Sequence, residues 1–315
     1  MTVGGEDLQR GAWTIEKFKW RVQSAEDLEQ SRASRFRPEW RTILLGYFGL
    51  RPGMQVLGVG CGPGTLAPYL AEGIAPGLVT GLDLDEEFIA RAQQKAARAG
   101  SQHVRYVAGD AYALPFATGS FDAAVSYTGI GVLADPPRAV AEMVRVCRPG
   151  GSVSIAESVG GPNGIRFAGV DSLGSEEYPG ARRFHELYAL LVAGHGRPAP
   201  GVGSRRWPAK ALMGLLAGAG LESIELNAWG HVEAADDVRV LDEARRAQRL
   251  REFESLREWL SWLRDVGDFS HLGPAEIDEL TVLGKRRLDW SLERPLWDWE
   301  ASLSVVAHGF RSGGN

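Results

Sequence analysis

The chain has 315 residues, 44% hydrophobic and 24% charged, with a net charge of −5 at neutral pH. That is apolar material for one elaborated domain, and too acidic a balance for a nucleic-acid footprint, which needs a basic surface to displace counterions from phosphates. Two cysteines, Cys61 and Cys147, make no disulfide framework and fit a reducing cytoplasm; with no leader pattern at the start and no run of about eighteen apolar residues, a soluble intracellular protein is expected.

Residues 1–37 read as a polar helical arm in which Trp13, Trp20 and Phe36 stand among charges. A helix begins at Pro38, places Ile43, Leu44, Tyr47 and Phe48 on one side, and ends before Arg51-Pro-Gly53. The apolar strand Gln55–Val59 then empties into a turn with glycines at 58, 60, 62 and 64, which let backbone amides approach a ligand closely. Neither register fits G-x-G-x-x-G, because the last position is Pro63 counted from Gly58 and Thr65 counted from Gly60; no Gly-Lys-Ser/Thr follows, so a phosphate-cradling loop is excluded too. Thr65 is expected to cap the next helix, with Pro68 in its first turn.

A second strand from Val79 runs to the acidic pair Asp83 and Asp85, and the helix from Glu86 to Ala99 buries Phe88, Ile89, Ala92 and Ala96 before stopping at Gly100. Val104–Ala108 precedes Gly109-Asp110, and Phe121–Ser126 is a further strand. Asp135-Pro136 opens a helix carrying Val140, Met143, Val144 and Cys147, which ends at a Pro149-Gly-Gly turn ahead of the strand from Ser152 to Glu157. Turn formers from Ser158 to Gly164 make a loop. A helix from Pro208 to Ala219 and a strand from Leu221 to Trp229 follow; then come two helices, the first spaced on residues from Val238 to Leu263 and the second running from Pro274 towards Leu292, and a last strand from Ser302 to His308. Alternating strands and helices of this kind build a parallel, doubly wound sheet that binds ligands outside the carboxyl ends of its strands.

These landmarks, in this order, resemble the class I S-adenosylmethionine-dependent methyltransferases, in the small-molecule branch of ubiquinone and menaquinone biosynthesis. The resemblance covers roughly Arg41 to Trp229 and the last strand. It implies an α/β fold, a doubly wound Rossmann-like and mostly parallel seven-stranded sheet, here with a helical N-terminal arm and a helical insertion before the last strand. It implies S-adenosyl-L-methionine as cofactor, with Asp83 on both ribose hydroxyls, Leu84 on the adenine face, and Asp110 with Ala111 at the adenine amino group. Gly58, Gly60, Cys61, Gly62 and Ser126 complete the implied cofactor set. One position departs from the family: the residue before Val59, usually Asp or Glu there, is Gly58.

The domain boundaries are drawn as an arm or lid (1–37), a core (38–232, with a substrate-region loop at 158–206), a helical insertion (233–300), and the final strand and tail (301–315). Arm, loop and insertion resemble the cap that selects substrate in the family. A base is needed when the acceptor is a hydroxyl, an ammonium or a carbon acid, and the candidates are Glu157, at the end of the fifth strand, with His185 and His195 in the substrate region; no metal ligands are assigned. Trp259, Trp262, Trp297 and Trp299 are read as packing residues, and Trp13, Trp20 and Trp40 as lid residues. The expected function is methyl transfer to a small, fairly apolar metabolite by in-line displacement, with no nucleic-acid or membrane partner and with the oligomeric state open, a homodimer included. A macromolecule (RNA or protein) methyltransferase is one alternative, though no basic rim supports it. The other is a cofactor-binding protein without transferase activity, a sensor or a repurposed enzyme, which Gly58 keeps in play.

Overall fold

The structure, a computed structural model, describes residue 29 and residues 35–159, 165–167, 178–195, 209–234, 242–266, 272–294 and 299–313. In chain order the first elements are α1 (Arg41–Tyr47), β1 (Gln55–Val59), α2 (Leu66–Ile74), β2 (Leu78–Asp83), α3 (Glu86–Arg98), β3 (Val104–Ala108), β4 (Phe121–Tyr127), α4 (Pro136–Val146) and β5 (Cys147–Val159). They are followed by β6 (Ile165–Phe167), α5 (Ala181–His195), α6 (Ala209–Gly218), β7 (Leu221–Ala234), α7 (Asp242–Val266), α8 (Pro274–Glu293) and β8 (Trp299–Arg311). The chain divides into two compact units, one made of Met1–Val159, Ala199–His231 and Leu303–Asn315, the other of Gly160–Pro198 and Val232–Ser302.

In the first unit the order is β3-β2-β1-β4-β5-β8, with β7 on β8. The first five strands are parallel, and β8 joins β5 antiparallel from Val159↔Leu303 to Ser152↔Phe310. These seven strands match the expected sheet. Alternate side chains of β1 serve opposite faces: Val56 packs with Leu44, Phe48, Leu70 and Ile74, while Leu57 and Val59 pack with Val140, Met143, Val153 and Leu212. Helix ends follow local chemistry. Asp85 accepts from the amides of Glu87 (2.9 Å) and Phe88 (3.2 Å) to cap α3, which ends before Gly100 at φ +62°. Asp135 accepts from the Arg138 amide to cap α4, which starts with Pro136.

In the second unit α5, α7 and α8 share a core that includes Leu187, Leu191, Leu256, Leu260, Ile277 and Leu280, and the short β6 pairs with β8 over Trp299–Ala301. No described helix is long and apolar enough to cross a membrane.

Five local expectations are corrected. Ile43 is 54% exposed and Leu45 takes its place in the core, because α1 begins only at Arg41, after a 3₁₀ turn over Pro38–Trp40 that resets the phase. Thr65 precedes α2 with helical dihedrals, and its hydroxyl makes no capping bond. Cys147 is the first residue of β5, paired with Phe121, so Arg148–Gly151 is an irregularity within one strand, with Gly150 at φ +75°, and not a turn between helix and strand. Ser158 and Val159, expected in a loop, continue β5, and the strand β6, just after the turn formers that end at Gly164, was unforeseen. Leu256, Leu260 and Leu263 are buried as the spacing predicts, but Leu250 is exposed. Trp13, Trp20, Trp297, Asp236 and Asp237, and the side chains of Trp259, Trp262 and Trp299, lie outside the described residues.

Candidate active site

The sheet order reverses between β1 and β4, and the loop after β1 lies at that switch point. Gly60, Gly62 and Gly64 all take left-handed dihedrals (φ +69°, +54° and +82°), and a Cβ at Gly64 would fall 2.7 Å from Tyr106 Oη, so glycine is required there twice over. The Gly60 and Cys61 amides donate to the Leu82 carbonyl at 2.8 and 3.0 Å. One residue on, Asp83 Oδ2 accepts from the Gly62 amide at 2.7 Å, and Oδ1 from the Asp85 amide at 3.0 Å. The Asp83 carboxylate therefore ties the glycine loop to the turn entering α3, and each oxygen keeps a second lone pair for a hydroxyl donor. Burial raises its carboxyl above the ordinary range despite those two amide bonds, a combination typical of functional carboxylates in clefts.

Leu84, next in the chain, is 56% exposed, an apolar face presented to solvent between two anchored aspartates. At the tip of β3, Asp110 is exposed, and its Oδ1 accepts from the Tyr112 amide at 2.8 Å. Ala111 beside it is half-buried. Helix α4 holds this loop: the Leu114 amide donates to Glu142 Oε2 (2.8 Å), while Arg145 donates to the carbonyls of Phe116 (2.8 Å) and Leu114 (3.0 Å) and pairs with Glu142. Arg145 keeps the Glu142 carboxyl below its ordinary 4.5.

Ser126 is buried at the end of β4, its hydroxyl without a hydrogen-bond partner among the described residues. The Cys61 thiol is pushed well above its ordinary range by burial and then by the Asp83 charge. Glu157, 7% exposed, accepts from the Gly131 amide at 2.8 Å and so organises the turn after β4. His185 lies on α5 of the second unit with its ring edge-on to Phe184. The side chains of His195 and His231 lie outside the described residues.

A small cleft is lined by Gly58, Val59 and Gly60 of the β1 end, by Leu66 and Ala67 of α2, and by Phe36 and Tyr127. Phe36 sits between Tyr69 and Tyr127 at ring separations of 5.4 and 5.1 Å, and Tyr127 stacks on Trp229. Arg35 Nη1 donates to Tyr127 Oη at 3.2 Å, and Tyr69 Oη donates to the Arg37 carbonyl. Glu29 pairs bidentately with Arg91 and also meets Lys95, whose ammonium lies 3.4 Å from the Pro63 carbonyl. Sequence reasoning missed the part played here by Arg35 and Tyr69. The one signal was the run of arginines around Phe36 just ahead of Pro38.

Residues 57–155 match a family model described as a methyltransferase domain. The chain is 36% identical over 118 residues to a demethylmenaquinone methyltransferase of Renibacterium salmoninarum, covering 38% of this chain and 47% of that protein. It is 37% identical over 118 residues to a ubiquinone/menaquinone biosynthesis C-methyltransferase of Bdellovibrio bacteriovorus, covering 38% and 50%. The chain thus spans about half the length of the curated relatives it matches. Among solved structures, a phosphoethanolamine N-methyltransferase of Haemonchus contortus, in complex with S-adenosyl-L-methionine, superposes with a TM-score of 0.50 at 17% identity, covering 95% of this chain and 60% of that one, a likeness of fold. Residues 57–155, which run from β1 through most of β5, are thus similar to methyltransferase domains. Two of the curated relatives matched are quinone methyltransferases.

Proposed function

We propose that the chain binds S-adenosyl-L-methionine across the ends of β1, β2 and β3 and transfers its methyl group to a small, fairly apolar metabolite. The observation that carries the reading is the Asp83 carboxylate, held by the Gly62 and Asp85 amides beside an exposed Leu84. The residues fit the adenosyl half of such a ligand: two carboxylates for hydroxyl and amino donors, an apolar face for a purine ring, and a glycine turn that admits close backbone approach. The quinone-methyltransferase relatives and the apolar lining of the cleft support a small apolar acceptor.

When bound, the cofactor supplies a methyl group on a cationic sulfur. The protein's task is then to exclude water and to hold the acceptor in line at about 3 to 3.5 Å. Phe36 and Tyr127 form an apolar wall suited to the first task. Glu157, two residues before the end of β5 and held by the Gly131 amide, is the group we assign to orienting the acceptor or taking its proton. The unpaired Cys61 and Cys147 support a reducing compartment.

Calorimetry with S-adenosylmethionine and S-adenosylhomocysteine tests the cofactor reading, and a micromolar affinity for both is expected. Binding of neither would end it. Turnover on a panel of naphthoquinols and small phenols separates a transferase from a protein that only binds the sulfonium.

A further inference from the structure

We infer that Glu142 and Arg145 of α4 are positioning residues for recognition of the ligand's base: they fix the main chain of the loop after β3, so that the Asp110 carboxylate is held ready for an amino group on a purine ring. The inference deepens the cofactor reading above and rests on it. Both residues act through the loop, because their polar atoms go to its backbone. Glu142 Oε2 accepts from the Leu114 amide at 2.8 Å, and Arg145 donates to the carbonyls of Leu114 and Phe116 at 3.0 and 2.8 Å. The Arg145 carbonyl in turn accepts from the Gly119 amide at 3.1 Å. Bonds of this kind set where the chain runs, whatever side chains the loop carries. The two residues also brace each other, with Arg145 Nε and Nη2 on the two Glu142 oxygens at 2.6 and 2.8 Å. At its other end α4 holds the same loop through Tyr112, whose Oη accepts from the Asp135 amide at 2.9 Å and whose ring lies under the Arg138 guanidinium.

The link from α4 to Asp110 is the Tyr112 amide. It donates to Asp110 Oδ1 at 2.8 Å, and the Ala113 amide closes a turn on the Asp110 carbonyl at 3.1 Å. Tyr112 therefore stands between two fixed points, its own ring pinned at Asp135 and Leu114, two residues on, pinned at Glu142 and Arg145. Asp110 Oδ2 has no hydrogen-bond partner among the described residues and is left for a donor. The need for such bracing follows from the sheet. Asp83 ends an inner strand and is tied by amides of the glycine loop and of the turn into α3, whereas Asp110 follows β3, the edge strand, which pairs with β2 alone. An exposed carboxylate at an edge samples several rotamers unless its turn is fixed, and ordering it only on binding weakens affinity. The bonds from α4 supply that order beforehand.

The test is calorimetry on the full chain with two probes, S-adenosylhomocysteine and its purine-riboside analogue, which lacks only the 6-amino group. The wild type is expected to prefer S-adenosylhomocysteine about tenfold. In Glu142→Ala that preference should collapse, with affinity for S-adenosylhomocysteine lowered about fivefold to tenfold and the analogue held within about twofold. Glu142→Gln, which keeps an acceptor for the Leu114 amide, should stay within about threefold of the wild type. In an Asp110→Ala background, Glu142→Ala should change S-adenosylhomocysteine affinity by less than about twofold, because the two residues act as one unit. Tyr112→Phe, which removes only the bond to the Asp135 amide, is the second variant should Glu142→Ala not fold, and the same selective loss is expected of it. An equal loss for both probes, or losses that add in the double variant, would make Glu142 a residue of the fold alone and overturn the inference; unchanged binding in both single variants would overturn it as well. A wild type that binds neither probe ends the cofactor reading, while one that binds both equally ends only the assignment of base recognition.

Discussion

The Gly62 amide and the Asp83 carboxylate, 21 residues apart in sequence, meet at 2.7 Å, and this bond fixes the glycine loop against the tip of β2. Because burial raises the Asp83 carboxyl, its charge costs stability at neutral pH, and the amide bonds only partly offset that cost. Asp83→Ala is therefore expected to shift stability by no more than about 1 kcal/mol in a thermal melt, while lowering S-adenosylhomocysteine affinity about a hundredfold in calorimetry. A large loss of stability with binding intact would reverse the roles assigned to this residue.

A glycine of the loop and one of the strand before it should respond unequally. Gly64→Ala forces a left-handed residue against Tyr106 Oη and the Ala92 Cβ, each less than 3 Å away, and should cost about 2–4 kcal/mol. Gly58→Ala meets nothing closer than 3.8 Å in an ordinary strand conformation and should change stability by less than about 1 kcal/mol. Denaturant midpoints of the two variants decide the matter.

The clamp of Glu142 on the Asp110 loop predicts an acid-sensitive term. Since the folded carboxyl lies below its ordinary 4.5, the pair contributes its full stabilisation above that pH and loses it as pH falls through the folded value. The contribution is about 0.5–1 kcal/mol after solvent screening. Melting curves from pH 6 to pH 3 should show a shallower fall for Glu142→Gln than for the wild type.

His308 supplies a second pH term at a different place. Its ring is buried in β8, 3.9 Å from Glu225, and burial lowers its pKa from 6.5 against the opposing pulls of Glu225 and the Tyr47 backbone. The neutral ring is the form that folds well, so stability is complete above pH 6.5 and declines as pH drops below it towards the folded value. His308→Gln should flatten the melting temperature between pH 5 and 7, and an unchanged slope would remove His308 as its source.

The sheet and the glycine loop were legible because their signals are local. Gly60 to Gly64, Asp85 as a cap and Gly100 as a stop act within a few residues of themselves, and each does in the fold what its spacing implied. The Arg35–Tyr127 bond spans 92 positions, and no periodicity encodes which aromatic a given arginine will meet. Ile43 failed as a core residue for a phase reason, since a 3₁₀ turn consumed the first residues of the expected helix. At Arg148–Gly151 turn chemistry was present, but pairing with β4 outweighed it and the chain continued as one irregular strand.

The strand that completes the sheet comes after every other described strand in chain order. β8 joins β5 on one side and β7 on the other, Ser304 Oγ reaches Tyr127 Oη at 3.2 Å, and the Arg311 guanidinium lies on the carbonyls of Val144, Arg145 and Cys147. Until residues 303–311 leave the ribosome, β5 offers a naked edge and Tyr127 lacks one of its neighbours, a window in which a nascent chain can pair with another copy. Chains cut before residue 303 should collect in inclusion bodies.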